Sequence, residues 1–450
     1  MQAMRRAIPL LVVCFMLAAC VQTSNGGSGA TTPTATATKA ATTGTTPTGG
    51  TSAPVVDNSP LTCPAQLASF ANCQTPRSMR VAYGVESLMQ HGFTGSGQTV
   101  VDIVSFGSPT LQQDMDTFDR NFYLPPITLK VFAPLGTVPF DPTSKDMTNW
   151  AAETELDVQI IHAIAPGANI VVLTSPVSET EGTLGLPQFL QLEQYALTNH
   201  LGTIISQSWG ASEVTLKDSA GQQEIQKWDA FFKQATTQQG ITFFGSSGDN
   251  GSTDFANLKA TILSTQPTTS FPTDDPWVTS VGGTTLNRVS VSSFQEVAWS
   301  GSGGGFSSFY STPSFQQSLP ANSQQQLNHG RGVPDVSGNA DPVSGLAIYL
   351  GGWQRGGGTS ASAPLWAAIT AIANQMAGHS LGFLNPALYK LAASNTYSQD
   401  FHDITQGNNA QTVGNINVPG YSAAQGWDPV TGLGSPNAEK LIPDLIAAMK

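Results

Sequence analysis

Four apolar runs constrain this chain more than any other feature. They are GQTVVDIVSF (Gly97–Phe106), ANIVVLTS (Ala168–Ser175), GTIISQSWG (Gly202–Gly210) and GITFFGSSG (Gly240–Gly248). Runs of this length, apolar on both sides, are expected of parallel strands covered on both faces by helices. The stretches TNWAAETELDVQIIHAIA, LPQFLQLEQYALTNH and QQEIQKWDAFFKQATTQQ lie between or beside them and read as helices. The alternation predicts a three-layer α/β domain with a mostly parallel central sheet and right-handed crossovers. No internal repeat is visible, and no second domain boundary follows Cys73.

The chain has 450 residues, 40 % of them apolar and only 11 % charged, which suits a large packed core rather than a disordered chain. The 18 Lys and Arg against 30 Asp and Glu leave a net charge of -12. Nucleic acid is not an expected partner, because phosphate binding needs clustered positive charge. An acidic balance fits an exported protein that works in acid, where protonation removes much of the charge.

The start, MQAMRRAIPLLVVCFMLAAC, is a basic pair followed by a short apolar stretch and small residues ending in Cys20. This reads as an export signal over residues 1–20 rather than a membrane span. The Leu-Ala-Ala-Cys ending resembles a bacterial lipobox. Lipidation of Cys20 would hold the chain on the outer face of a membrane. An ordinary cleaved signal is the alternative. Residues 21–60 are almost all Ser, Thr, Gly, Ala and Pro, a composition expected of a flexible tether. Cys63 and Cys73 then remain, and two cysteines in an exported chain are expected to pair. Residues 61–450 are left for the folded domain.

The chemistry-bearing pieces come next. Ser360 sits in GGGTSASAP, where glycines allow close backbone approach and small residues suit a closely packed helix. A serine needs a base to become a nucleophile. The six histidines offer none in a helix-opening context, and His91, in the turn before the first strand, is the nearest exception. Glu153 and Asp157 are four residues apart in a predicted helix, so both carboxylates share one face. Glu155 points roughly the other way, and His162 is about 140° around the helix from Asp157. Two adjacent carboxyls repel and share a proton, which makes a base and its orienter. Alone, such a pair is more often a solvated acidic face. Asp249, with Asn250, follows a predicted strand in FFGSSGDNG, where α/β sites collect. A protonated Asp can donate to a developing oxyanion; a plain Asp-Asn-Gly turn is the alternative.

Together these segments resemble the sedolisin, or serine-carboxyl peptidase, family, in its kumamolisin-like form. The resemblance is carried by ETELD, SSGDNG and GGTSASAP, and by SQSWG, FPTDDPWVTSVGGTTL, GRGVPDVSGNADP and GWDPVTGLGSP. It covers roughly residues 78–450. It implies a subtilisin-like fold and an endopeptidase active in acid. Ser360 would be the nucleophile, Glu153 the base, Asp157 its orienter and Asp249 an oxyanion donor. It also implies that Trp209 lines the cleft and that Gly303, Gly304 and Gly305 run along a peptide or protein substrate.

The resemblance further implies a C-terminal calcium loop for one Ca2+. Asp403 and Asp428 would supply carboxylates, and Ile404, Ala424 and Gly426 carbonyl oxygens, a donor set that suits a hard cation. Two departures stand out. The tether and the Cys63–Cys73 segment leave no room for the family's long propeptide. Some relatives also carry an acidic residue at the end of the first strand, where VVDIVSFGS offers Ser105. A monomer is expected. Two rival readings are a surface-anchored peptide-binding protein without catalysis and a neutral-pH enzyme using His91. Substrate preference, and endopeptidase against tripeptidyl-peptidase action, stay open at this level.

Overall fold

The computed structural model describes residues 58–450. The signal, the tether up to residue 57 and Cys20 lie outside the described residues. Eight strands form the main sheet: β1 (Thr99–Ser105), β2 (Lys130–Phe132), β3 (Asn169–Ser175), β4 (Ile204–Gln207), β5 (Thr242–Ser246), β6 (Thr279–Arg288), β7 (Phe294–Ala298) and β8 (Val336–Asn339). Their order is β8-β6-β5-β4-β1-β3-β2, all parallel, with β7 antiparallel against β6. The four runs read as parallel strands are β1, β3, β4 and β5, the adjacent middle of the sheet.

The period of two divides each strand between two cores. Val100 and Val104 of β1 enter one core. There they meet α1 (Lys145–Ile164) and α4 (Thr359–Ala377). Val101 and Ile103 enter the other core, with α2 (Leu186–Thr198) and α3 (Ser219–Gln239). Asp102 shares the period of Val100 and Val104, and therefore the face toward α1.

Helix α1 is N-capped by Ser144, whose hydroxyl accepts the Met147 N–H. It ends at Ala165, which leaves the helical region ahead of Pro166, where the proline ring disfavours a helical residue before it. From Thr154 to Ile164 every residue is buried, because the helix lies between sheet and α4. Ala361, Ala363, Ala367, Ala368 and Ala371 are all buried in α4, so small side chains allow that close packing. Cys63 and Cys73 form a disulfide in the segment that leads into this body. Gln74 then bridges in parallel to Leu346. No helix among the described residues is long and apolar enough to cross a membrane.

Candidate active site

Because the strands run parallel, their C-terminal ends open on one edge. Ser208 and Trp209 follow β4, and Asp249 follows β5. The first turn of α4 brings Ser360 to the same place. Its hydroxyl faces Glu153 and tempers the upward pull on that carboxyl. Burial pushes Glu153 up, and the charges of Asp249 and Asp102 push it further. Its side chain still reaches the cleft.

One turn on, Asp157 is fully buried. Its Oδ1 accepts the Ser208 hydroxyl at 2.8 Å, and the same hydroxyl reaches the Ser360 carbonyl oxygen at 3.3 Å. Ser208 thus ties the Asp157 carboxylate to the Ser360 backbone. On its far side Asp157 meets Asp102, also fully buried. Burial raises both carboxyls, and each feels the other. Two acceptors this close can bond only through a proton between them. Asp102 and Asp157 therefore share a proton, and Glu153 acts on Asp157 through its charge; the three form one file of interacting carboxyls, whose first proton leaves more easily than the next.

The expected pairing of Glu153 with Asp157 on one face is present, with Glu155 turned away. Glu155 takes the Ser108 hydroxyl at 2.8 Å and the Gln159 amide at 2.9 Å. His162 lies 3.3 Å from Asp119, and exposed His91 caps a turn on the Ser87 carbonyl at 2.7 Å. Neither histidine belongs to the file. Ser105 stands at the end of β1, as read from the sequence, and does not enter the file. The Ser105 hydroxyl donates to the Val177 carbonyl at 2.9 Å and accepts the Glu179 N–H at 3.1 Å. The carboxyl comes from Asp102, three residues earlier. The missed signal was a charged residue inside an otherwise apolar strand, a position seldom occupied without a partner.

Asp249 stands exposed at the cleft. Its Oδ1 accepts the Thr359 N–H at 2.7 Å and the Thr359 hydroxyl at 2.9 Å. Desolvation raises its pKa and these two donors lower it, with a net upward shift. Gly358, at φ +94°, makes this approach possible: a Cβ there would stand 2.5 Å from Asp249 Oδ2. As N-cap of α4, Gly358 has no side chain to occupy the Ser360 N–H. The Asp249 carboxyl therefore sits against the first turn of α4, on the residue before Ser360.

Trp209 is buried against Phe189 and Trp228, with ring centroids 4.9 Å and 5.6 Å away, and lines the cleft beside Glu153. Gly303, Gly304 and Gly305 are buried. The Gly303 N–H donates to the Gly248 carbonyl at 2.7 Å. A Cβ on Gly303 would lie 1.9 Å from the Ser247 carbonyl oxygen, and one on Gly304 2.1 Å from that of Pro429. The lack of a side chain at Gly303 and Gly304 is used by the protein's own backbone, while Gly305 faces the Tyr421 ring.

In the tail, Asp403 accepts the Gly426 N–H at 3.1 Å and the Tyr397 hydroxyl at 3.1 Å. Asp428 Oδ2 accepts the Ala424 N–H at 3.0 Å. Both carboxylates act on Tyr397, so they converge on one loop without a Lys or Arg among the groups that act on it. Ile404 is buried beside them. No cluster of three or more His, Cys, Asp or Glu suited to a metal occurs among the described residues. Two carboxylates with backbone carbonyls remain compatible with calcium, which takes oxygen donors of either kind.

The subtilase family model matches residues 146–427. The chain belongs to the subtilase family, in its sedolisin branch. It is 36 % identical to kumamolisin of Bacillus sp. strain MN-32 over 317 residues, which are 68 % of this chain and 52 % of that protein. It is 31 % identical to tripeptidyl-peptidase sed4 of Aspergillus fumigatus, over 84 % of this chain and 67 % of that one. The chain thus spans about half to two thirds of the length of these relatives. A structure of Pseudomonas sedolisin with two molecules of pseudo-iodotyrostatin superposes with a TM-score of 0.70 at 27 % identity, covering 83 % of this chain and 98 % of that one. The subtilisin-like fold with its mostly parallel sheet is therefore shared with sedolisin itself.

Proposed function

We propose that this sedolisin-branch chain is a serine-carboxyl endopeptidase that hydrolyses protein or peptide substrates in acid. The observation that carries the reading is the Ser360 hydroxyl placed beside the Glu153 carboxyl, with Asp157 and Asp102 behind it. Ser360 Oγ attacks the scissile carbonyl carbon and its proton passes to Glu153. The oxyanion forms toward Asp249 and the Ser360 N–H. Glu153 then protonates the leaving amine, and the carbon–nitrogen bond breaks. Water, deprotonated by the same carboxylate, releases the acyl group from Ser360.

Acid suits each step. Near its reference pKa of about 6.5 a histidine is protonated at low pH, whereas a carboxyl, with a reference value near 4, can still ionise in part there; the burial that raises Glu153 works against this and sets the acid limb of the rate profile. Asp249 donates only while protonated. A Ca2+ held by Asp403, Asp428 and the carbonyls of Ile404, Ala424 and Gly426 would brace the tail loop. A lipid on Cys20 would hold the enzyme at a membrane surface.

The test is cleavage of a denatured protein from pH 2 to pH 8 by residues 58–450, beside Ser360→Ala and Glu153→Ala. Activity confined to acid and lost in both variants is expected. A folded, calcium-loaded protein that cleaves nothing at any pH would instead favour a peptide-binding role.

A further inference from the structure

The cleft holds one carboxyl that this hydrolysis does not use. Glu179 follows β3 and is only 6 % exposed. It lines the same cavity as Glu153, Ser208, Trp209 and Gly210. Its loop is fixed from two sides. The Glu179 N–H donates to Ser105 at the end of β1. Gly185, at φ +87°, approaches so closely that a Cβ would lie 2.4 Å from Glu179 Cα.

Two further acids act on it, Glu181 and Asp254. Both are satisfied by the protein. Glu181 Oε2 accepts the Ser212 N–H and the Thr215 hydroxyl, each at 2.9 Å. Asp254 accepts from Ser270, from the Asn250 amide at 3.0 Å and from the Phe255 N–H at 2.8 Å. Glu179 differs: the Gly210 N–H bears on its carboxyl, but its Oε1 is buried without a hydrogen-bond partner, as is the Nε1 of Trp209, a second residue lining the cavity. A buried polar atom left unpaired is costly, so such an atom on a residue of the substrate cleft marks a partner that arrives with the ligand.

The charge around it states what that partner is. From α1, Glu153 lines the cavity, and Asp146 reaches the neighbouring Ser178 hydroxyl at 2.8 Å. Glu181 comes from the same loop and Asp254 from the loop after β5. No Lys or Arg is among the groups acting on Glu179. We propose that Glu179 is a specificity-determining residue that receives a Lys or Arg side chain flanking the scissile bond. The assignment of a flanking side chain rests on the peptidase reading above.

Burial and the two acids hold the free Glu179 carboxyl protonated well above the ordinary carboxylate range. A bound cation reverses that balance, so binding releases a proton and tightens as pH rises from acid toward neutral.

The test is binding to Ser360→Ala, which reads Glu179 whether or not the wild type cleaves. The probes are N-acetylated positional libraries, each with Lys or norleucine at one fixed position, measured at pH 4 and pH 6. At one position Lys binds at least about tenfold tighter than norleucine, more so at pH 6, with proton release seen in buffers of different ionisation enthalpy. That preference falls to parity when Glu179→Gln or Glu179→Met is added, and persists with Glu181→Gln. Equal binding of Lys and norleucine at every position overturns the proposal. So does a preference that survives both Glu179 variants. Wild-type protein that cleaves nothing bears on the peptidase reading alone.

Discussion

Asp102 and Asp157 meet carboxyl to carboxyl between β1 and α1, both fully buried, and the charged groups acting on them are other carboxyls. Neither is neutralised by a cation, so a proton must serve. This relationship makes the site's charge state a property of the file rather than of Glu153 alone.

Asp102→Asn tests that statement. The amide removes the repulsion that raises Asp157 and Glu153, and it can donate to Asp157. Both carboxyls then ionise at lower pH. The rising acid limb of the pH–rate profile is expected to move down by about one pH unit. A limb that stays put while the rate falls would make Asp102 a packing residue only.

The same burial has a sign for stability. Asp102 and Glu181 are pushed up to about 7 and Glu155 to about 8, against ordinary values near 4. Groups raised in the folded state stabilise it fully below their unfolded values, and that contribution is lost as pH rises through 7 to 8. His162 acts oppositely. Its pKa falls to about 4, so its share is lost as pH drops from about 6.5 through 4. The carboxyls outnumber it. Tm is expected to fall steadily from pH 5 to pH 8, less steeply in Asp102→Asn. A Tm that is flat over this range would contradict buried, uncompensated carboxyls.

How much of this was legible in the sequence follows from what each element needs. The four central strands and α1, α2 and α3 are visible because both faces or one broad face are buried, which forces apolar periodicity. Local spacing places Glu153 and Asp157 on one helix face, Asp249 at a strand end and Ser360 at a helix start, but their roles come from the resemblance to the sedolisin family. Asp102, Ser208 and Glu179 act only through neighbours remote in sequence. Ser208 meets Asp157 from 51 residues away, and Asp102 meets Asp157 across a strand–helix interface. No local period records such a meeting. Gly358 is the same case: GGG reads as a loop until a carboxylate is found against it.

Asp249 separates donor from acceptor. Its Oδ1 accepts twice from Thr359, leaving Oδ2 to donate only when protonated. Asp249→Asn keeps an acceptor for Thr359 and carries a donor at every pH. It is expected to retain measurable kcat and to extend activity toward neutral pH. Asp249→Ala removes the donor, with an expected loss of about 10²–10³-fold in kcat. Equal losses in both variants would show that the carboxyl does something besides donate.

Calcium should act on folding. With Asp403 and Asp428 converging on one loop, Ca2+ is expected to raise Tm, since an ion bound only by the folded state stabilises it. EGTA reverses the rise and Asp403→Asn abolishes it. A Tm indifferent to Ca2+ and EGTA in the parent protein would remove calcium from the account.

Gly358→Ala tests the geometry that joins the oxyanion donor to the nucleophile. At φ +94° an alanine is strained by about 1–3 kcal/mol. Its Cβ, 2.5 Å from Asp249 Oδ2, must also displace that carboxyl or shift the start of α4. The strain alone would lower Tm by several degrees without singling out catalysis. The displacement moves Asp249 relative to Ser360. The expected outcome is therefore a kcat loss comparable to that of Asp249→Ala, in a protein still folded at the assay temperature. Adding Asp249→Ala should then cost little more, because residues acting as one unit do not lose activity additively. Additive losses in the double variant would mean that Gly358 holds the helix start for Ser360 and leaves Asp249 where it is.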